Sequence, residues 1–293
     1  MLLESTIRSF LPVCLGHIPA FRGKGRITLL LDKVLTDSHS ALSYEVIGQL
    51  NDGVRFHFDL RPWGQKFAYY YRDWEKGYVS VMRKLYSGGV FLDVGSSLGL
   101  YVVCMGETVR RFNGSIISIE PVPYNLERQK KNVALNQLED LVTYVPVALG
   151  KELKIARIKT DPKGGDNNAF ITDGGDLEVM VTPLDNLVSE SKLGRIGLMK
   201  IDIEGYEPML IEGAKATIER DQPIIFAEFC RERMEINGFS IDSAWEFLIE
   251  DQDYDCFFLE AGTQKLRPLK SPGFLENLFF IPKGAATQPD LFA

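Results

Sequence analysis

The chain is short of the residues on which several classes of function depend. Its four cysteines, Cys14, Cys104, Cys230 and Cys256, lie far apart in 293 residues. No pair has the spacing of a disulfide framework or a zinc site, so they read as reduced thiols of a cytoplasmic protein. Histidine is scarcer still, with His17, His39 and His57 alone, which leaves little imidazole for a neutral-pH base. No Ser-His-Asp signature such as Gly-x-Ser-x-Gly is expected, and hydrolase chemistry is unsupported. There is no long basic run and the net charge is −7. That argues against nucleic acid, where affinity comes largely from Lys and Arg on phosphates. No apolar run approaches the roughly 20 residues of a membrane span, and no transmembrane segment is expected. Met1 to Phe21 is fairly apolar, but Glu4, Arg8 and His17 interrupt it and no basic start precedes it; a docked segment is expected rather than a signal sequence.

What is present is an ordinary globular balance, 45% hydrophobic and 25% charged, in a length that suits one large domain with a small addition. Residues 26 to 60 read as β structure: Val54 to Leu60 alternates apolar with polar, and Asn51-Asp52-Gly53 joins it to Ser43–Leu50 as a hairpin. Trp63, Phe67, Tyr69, Tyr70, Tyr71, Trp74 and Tyr78 follow as an aromatic cluster, either core or a surface for a ring-shaped ligand. A helix is expected over Gly77 to Tyr86. Beyond it, short continuous apolar runs (Val90–Val94, Ser115–Ile119, Val142–Val147, Gly197–Ile203, Ile224–Phe229) alternate with helical stretches at Leu100–Arg110, Asn125–Asn136 and Pro208–Asp221. Such runs imply a parallel sheet covered on both faces, an α/β Rossmann-like fold. Tyr254–Glu260 and Asn277–Pro282 are joined by too short a link for a crossover helix and read as an antiparallel pair at one end of the sheet. The expected organisation is a β-rich N-terminal section at residues 1–85, the main domain at 86–283 and a tail at 284–293.

Asp93-Val94-Gly95-Ser96-Ser97-Leu98-Gly99 lies between the first buried strand and the first helix of that domain, where an open α/β sheet binds its ligand. A dinucleotide fingerprint beginning at Gly95 would want glycine at the positions of Ser97 and Leu100; without the second glycine, pyrophosphate and hence NAD are poorly served. No Gly-Lys-Ser/Thr follows, so a phosphate loop is absent too. Glu120 ends the second strand, where a carboxylate can accept hydrogen bonds from both hydroxyls of a ribose. The turn, the missing glycine and Glu120 together favour S-adenosylmethionine, with Asp93, Gly95, Ser97, Gly99 and Glu120 as its binding residues.

Phe91 to Gly99, Ile119-Glu120-Pro121-Val122-Pro123 and Met199-Lys200-Ile201-Asp202-Ile203-Glu204-Gly205-Tyr206-Glu207 occur in order, with Asn132–Asn136, Pro183-Leu184-Asp185, Gly213-Ala214 and Pro223–Glu228 between and after them. On these blocks the chain resembles the FkbM-type methyltransferases over about residues 26 to 230. The resemblance implies a class I methyltransferase fold, a mostly parallel seven-stranded sheet with the last strand antiparallel. It further implies S-adenosylmethionine-dependent O-methylation of a small hydroxylated acceptor, a sugar or polyketide-like product. Ser96-Ser97 departs from the family's usual Ala-Asn, and Gly77-Tyr78-Val79 from its Gly-Tyr-Glu.

Asp202 and Glu204 are two apart near the end of a strand and share a face if the extended conformation persists. Asp202 then contacts the donor or orients the acceptor, and Glu204 faces the acceptor; the alternative is a pair of turn and helix-cap acids, for which Glu204 and Glu207 are also suited. Glu228 ends the next strand and is a third catalytic candidate, or else a partner of Arg231. Lys200 reads as a cation pairing one of these acids, and Asp185 as a helix cap. Asn167 and Asn168 suit a hydroxylated ligand or a simple turn. Metal dependence is not expected, although Asp202, Glu204 and Glu228 could imitate a ligand set. Two rival functions are methylation of nitrogen, for which the Asn/Asp-Pro-Pro-Tyr/Phe sequence is missing at Asp202–Gly205, and a non-catalytic binding module.

Overall fold

The computed structural model describes residues 44–160, 169–273, 277–285 and 289–292. Expectations for Met1–Phe21, His39, Asn167 and Asn168 lie outside them. The described residues form two compact units, one up to Lys76 and one from Gly77 onward.

In the first unit β1 (Glu45–Gln49) and β2 (Arg55–Asp59) form the expected antiparallel hairpin, with Gly48 opposite Phe56 and Gln49 opposite Arg55. Phe56 and Phe58, on the buried side of β2, meet Trp74 at ring distances of 5.5 and 6.3 Å. Tyr69 lies edge-on to Phe58 from the helix Trp63–Tyr71. Tyr69, Tyr70 and Tyr71 of the aromatic cluster are buried packing, while Trp63 is 45% exposed. His57 is half-buried on β2.

The second unit is built on one sheet. Its strands are β3 (Val90–Val94), β4 (Ser115–Ile119), β5 (Val142–Val145), β10 (Ile196–Ile201), β11 (Ile224–Glu228), β12 (Tyr254–Leu259), β13 (Leu266–Leu269) and β14 (Asn277–Pro282), in the order β13-β12-β14-β11-β10-β3-β4-β5. The five strands from β5 to β11 are parallel, and β14 runs antiparallel between β11 and β12. This is the Rossmann-like arrangement expected, with β13 added as an eighth strand at the edge. The chain winds outward from β3 in both directions, which makes the C-terminal end of β3 the point where the strand order reverses. Every residue of β3 and β10 is buried, the reason these segments read as near-continuous apolar runs broken only by Asp93 and Lys200. On one face Leu92, Val94, Met199 and Ile201 pack with Leu184, Leu210, Ile211, Ile218 and Trp245 of the following helices. On the other, Phe226 takes Tyr78 at 5.1 Å and Tyr101 at 6.0 Å, from the helices Lys76–Leu85 and Leu100–Arg111.

Two departures from the expected elements have local causes. The helix expected over Pro208–Asp221 is two, Glu207–Glu212 and Lys215–Asp221. They break at Gly213, where the Gly150 carbonyl comes too close for any side chain. The stretch after β5, for which no individual elements are expected, adds the second departure. It forms a second sheet, ordered β6-β9-β7-β8, from β6 (Ala148–Leu149), β7 (Lys154–Lys159), β8 (Phe170–Ile171) and β9 (Leu177–Thr182).

Candidate functional site

The site grows from the turn after β3. Gly95, Ser97 and Gly99 all have left-handed φ (71°, 47° and 80°). At Gly95 the requirement is steric as well, since a Cβ would fall on the Asp202 carbonyl oxygen. The glycine therefore lets the turn touch the end of β10, so that both segments meet at one point. At Gly99 a Cβ would lie 2.5 Å from Cγ of Gln129. Gln129 is buried and accepts from Ser118 Oγ at 2.9 Å, and Ser118 Oγ lies 2.7 Å from Ser96 Oγ. The serine at position 96 thus ties the turn to β4. Asn132 binds the Leu98 carbonyl at 2.9 Å and fixes the far side.

Glu120 lies just past β4 with 4% of its surface exposed. Its Oε1 accepts from Val122 N at 2.9 Å and Asn125 Nδ2 at 3.2 Å, and its Oε2 accepts from Ser97 N at 2.8 Å. Burial pushes its carboxyl up to about 7 against the opposing pull of these donors. A carboxylate has about four acceptor sites. Three are in use, leaving capacity for a further donor beside the turn.

Beneath the turn runs a polar row. Lys200 of β10 and Ser118 of β4 stand in register on either side of Asp93. The Lys200 Nζ lies 3.5 Å from Asp93 and 3.3 Å from Asp202, donates to the Gly95 carbonyl at 3.0 Å, and sits 5.2 Å from the Tyr101 ring centre. Lys200 and Asp93 are buried, while the Asp202 side chain is 35% exposed. A cation enclosed in this way is tolerable because it is paired and hydrogen-bonded. Asp93 is thus part of the floor, and Asp202 the member of the group that reaches the surface.

The extended conformation does not persist through Asp202 and Glu204. β10 ends at Ile201, and Glu204 and Gly205 turn with φ of 56° and 90°. Glu204 is partly exposed, 4.0 Å from Arg233, whose guanidinium stacks 4.1 Å over the Phe170 ring. Glu228 ends β11, opposite Asn277 of β14, and is partly exposed. Among the described residues no three acids, histidines or cysteines converge on a metal position. Asp185 is a cap, but for the helix Lys215–Asp221 rather than its own: it accepts from Ala216 N and Thr217 N at 3.1 and 2.8 Å.

Sequence reasoning missed Gln129, Arg233, Phe170 and the burial of Lys200. Lys200 had a signal, since its neighbours Met199 and Ile201 are apolar and its strand is buried on both faces. Contrary to the expectation that Gly-x-Ser-x-Gly is absent, the turn Gly95-Ser96-Ser97-Leu98-Gly99 spells it, on a strand–turn–helix with Ser97 at φ 47°. That is the pattern of a hydrolase nucleophile. No residue from Gly77 to Ala293 is a histidine, and the acid facing Ser97 is Glu120, bound to its main-chain N–H. The second unit therefore holds no base of the triad type.

A family model described as the methyltransferase FkbM domain matches residues 93–256. Among solved structures, methyltransferase FkbM from Methylobacillus flagellatus KT is 16% identical, with a TM-score of 0.43 over 66% of this chain and 44% of that one. An SAH-bound methyltransferase from Podospora anserina is 14% identical, with a TM-score of 0.40 over 70% and 75%. A tRNA (uracil-54, C5)-methyltransferase from Pyrococcus abyssi, in complex with S-adenosyl-L-homocysteine, is 13% identical, with a TM-score of 0.39 over 81% and 44%. The chain spans less than half the length of the first of these. No curated protein matches. The family match runs from Asp93, which opens the turn, to Cys256 in β12 and takes in Glu120, Asp202, Glu204 and Glu228; it covers more than half of the sequence, and the chain belongs to the FkbM methyltransferase domain family.

Proposed function

We propose that the protein transfers a methyl group from S-adenosylmethionine to a hydroxyl of a small acceptor, a sugar or polyketide-like product. The observation that carries the donor assignment is Glu120, buried beside the left-handed turn with its Oε2 2.8 Å from Ser97 N. A carboxylate with acceptor capacity left beside the turn suits a nucleoside bearing hydroxyls, and Asp202, paired with Lys200 and 35% exposed, adds a carboxylate for a cationic group. The donor, when bound, supplies a methyl group already activated on a sulfonium.

The chain's own residues bind and orient. Gly95 and Gly99 shape the turn, Glu120 takes a ribose hydroxyl on its remaining acceptor site, and Asp93 holds Lys200 beneath them. Asp202 contacts the donor or orients the acceptor; Glu204, turned off the strand and 4.0 Å from Arg233, is the carboxylate assigned to take the hydroxyl proton, with Glu228 as the third carboxylate of the set. The net charge of −7 favours a neutral acceptor over a phosphate-rich one.

Calorimetric titration with S-adenosylmethionine, S-adenosylhomocysteine and NAD tests this reading. Both adenosyl ligands should bind, NAD should not, and Glu120→Ala should abolish binding. Folded wild-type protein that binds neither adenosyl ligand would refute the proposal. Methyl-labelled donor with matched hydroxyl and amine acceptors then distinguishes oxygen from nitrogen as the methylated atom.

A further inference from the structure

β10 ends at Ile201, and the last tie to the sheet is the Asp202 N–H, which donates to the Val94 carbonyl of β3 at 3.1 Å; the chain from Ile203 through Glu204 lies beyond it. Glu204 then takes a left-handed φ of 56°. A non-glycine residue stays there only when its surroundings over-determine it. The group that does so is Glu207, the first residue of the helix Glu207–Glu212. Its side chain is wholly buried, and its Oε1 accepts from Ile203 N at 2.9 Å and from Gly205 N at 3.1 Å. One oxygen therefore clasps the main chain on both sides of Glu204. Its Oε2 is buried with no hydrogen-bond partner among the described residues. Burial pushes the carboxyl up to about 8, and the charge of Asp202 adds to the rise. At neutral pH the group is mostly an uncharged acid.

We propose that Glu207 is a positioning residue, which sets the placement of Glu204 and the path of the chain leaving Asp202 through the main-chain N–H groups of Ile203 and Gly205. The tasks of those two carboxylates rest on the methyltransferase reading; the clasp itself does not. Shape and one acceptor oxygen are what the clasp uses, so glutamine can replace Glu207. Alanine cannot, since two N–H groups lose their acceptor.

The test uses the full chain as wild type, Glu207→Gln and Glu207→Ala. Amide hydrogen exchange is read at Ile203 and Gly205, and S-adenosylhomocysteine affinity by calorimetry. The Gln variant should match wild type in exchange and stay within about twofold in affinity. In the Ala variant both amides should exchange about tenfold faster or more, with affinity about tenfold weaker, while the amides of β3 keep their protection. Wild-type exchange at both amides in the Ala variant overturns the proposal, as does a Gln variant damaged as badly as the Ala variant. Should the Ala variant fail to fold, the Gln variant decides: retained protection and affinity support the clasp, and their loss overturns it. Wild-type protein that binds no S-adenosylhomocysteine would defeat the methyltransferase reading, while the exchange measurement would still decide the clasp.

Discussion

Glu120 shows how a single carboxyl can be poised by opposing forces. Burial favours its neutral form, and the N–H groups of Val122 and Ser97 with the Asn125 amide favour its charged form; burial wins, and the group titrates at about 7. Ribose hydroxyls donate to the carboxylate and not to the protonated acid in the same way. Binding through Glu120 therefore draws on the ionised fraction, which is about a tenth at pH 6 and about nine-tenths at pH 8. Affinity for S-adenosylhomocysteine should rise about tenfold across that interval and level off above it. Calorimetry over the interval reads this directly, and Glu120→Gln should flatten the profile while weakening binding. A flat wild-type profile would mean that Glu120 does not take the hydroxyls.

At the scale of elements, short local signals were legible and long-range constraints were not. β3, β10 and β11 could be read because burial on both faces leaves a near-continuous apolar run, with one charged residue in each. The site's turn could be read because glycine is needed where φ is left-handed. The β6–β9 sheet was not legible. Its strands are short, and Leu153, Ile155 and Met180 are exposed apolar residues that blur the inside–outside alternation. The end of β10 depends on Glu207 reaching back, and the break at Gly213 depends on a carbonyl 63 positions away in sequence, at Gly150. The Gly150 carbonyl lies outside any local window, whereas Glu207 lies within four residues of its partners but its reach back to their N–H groups leaves no periodic signal. Asp185 is an instance of the same kind, its capping role legible but its helix not. Removing it by Asp185→Ala leaves Ala216 N and Thr217 N without their acceptor. The loss should be about 1–2 kcal/mol in urea unfolding, with S-adenosylhomocysteine affinity unchanged. A variant as stable as wild type would show that the second helix needs no cap.

Across the whole molecule, acid and alkali act on different carboxyls. Asp221 lies below its ordinary value because Arg220 and the Ile196 N–H together outweigh the upward push of burial. The stability it contributes is present above its ordinary range and lost as pH falls through the folded value. Glu120 and Glu207 have the opposite sign: burial raises them from 4.5 to about 7 and about 8. The folded chain holds their protons where the unfolded chain has released them, so the stability they contribute is full below about 4.5 and lost as pH rises through about 7 and 8. A tenfold difference in proton affinity between the folded and unfolded chain is worth about 1.4 kcal/mol, so the two groups tilt the stability curve towards the acid side of neutrality. Wild-type Tm should fall between about pH 5 and pH 8.5. The Glu207→Gln variant keeps the clasp and loses one of these titrations, so its Tm measured against wild type should climb steadily over the same interval. A difference that stays constant with pH would place the Glu207 carboxyl in its charged form throughout, and the buried acid at the end of β10 would then need a cation to hold it there.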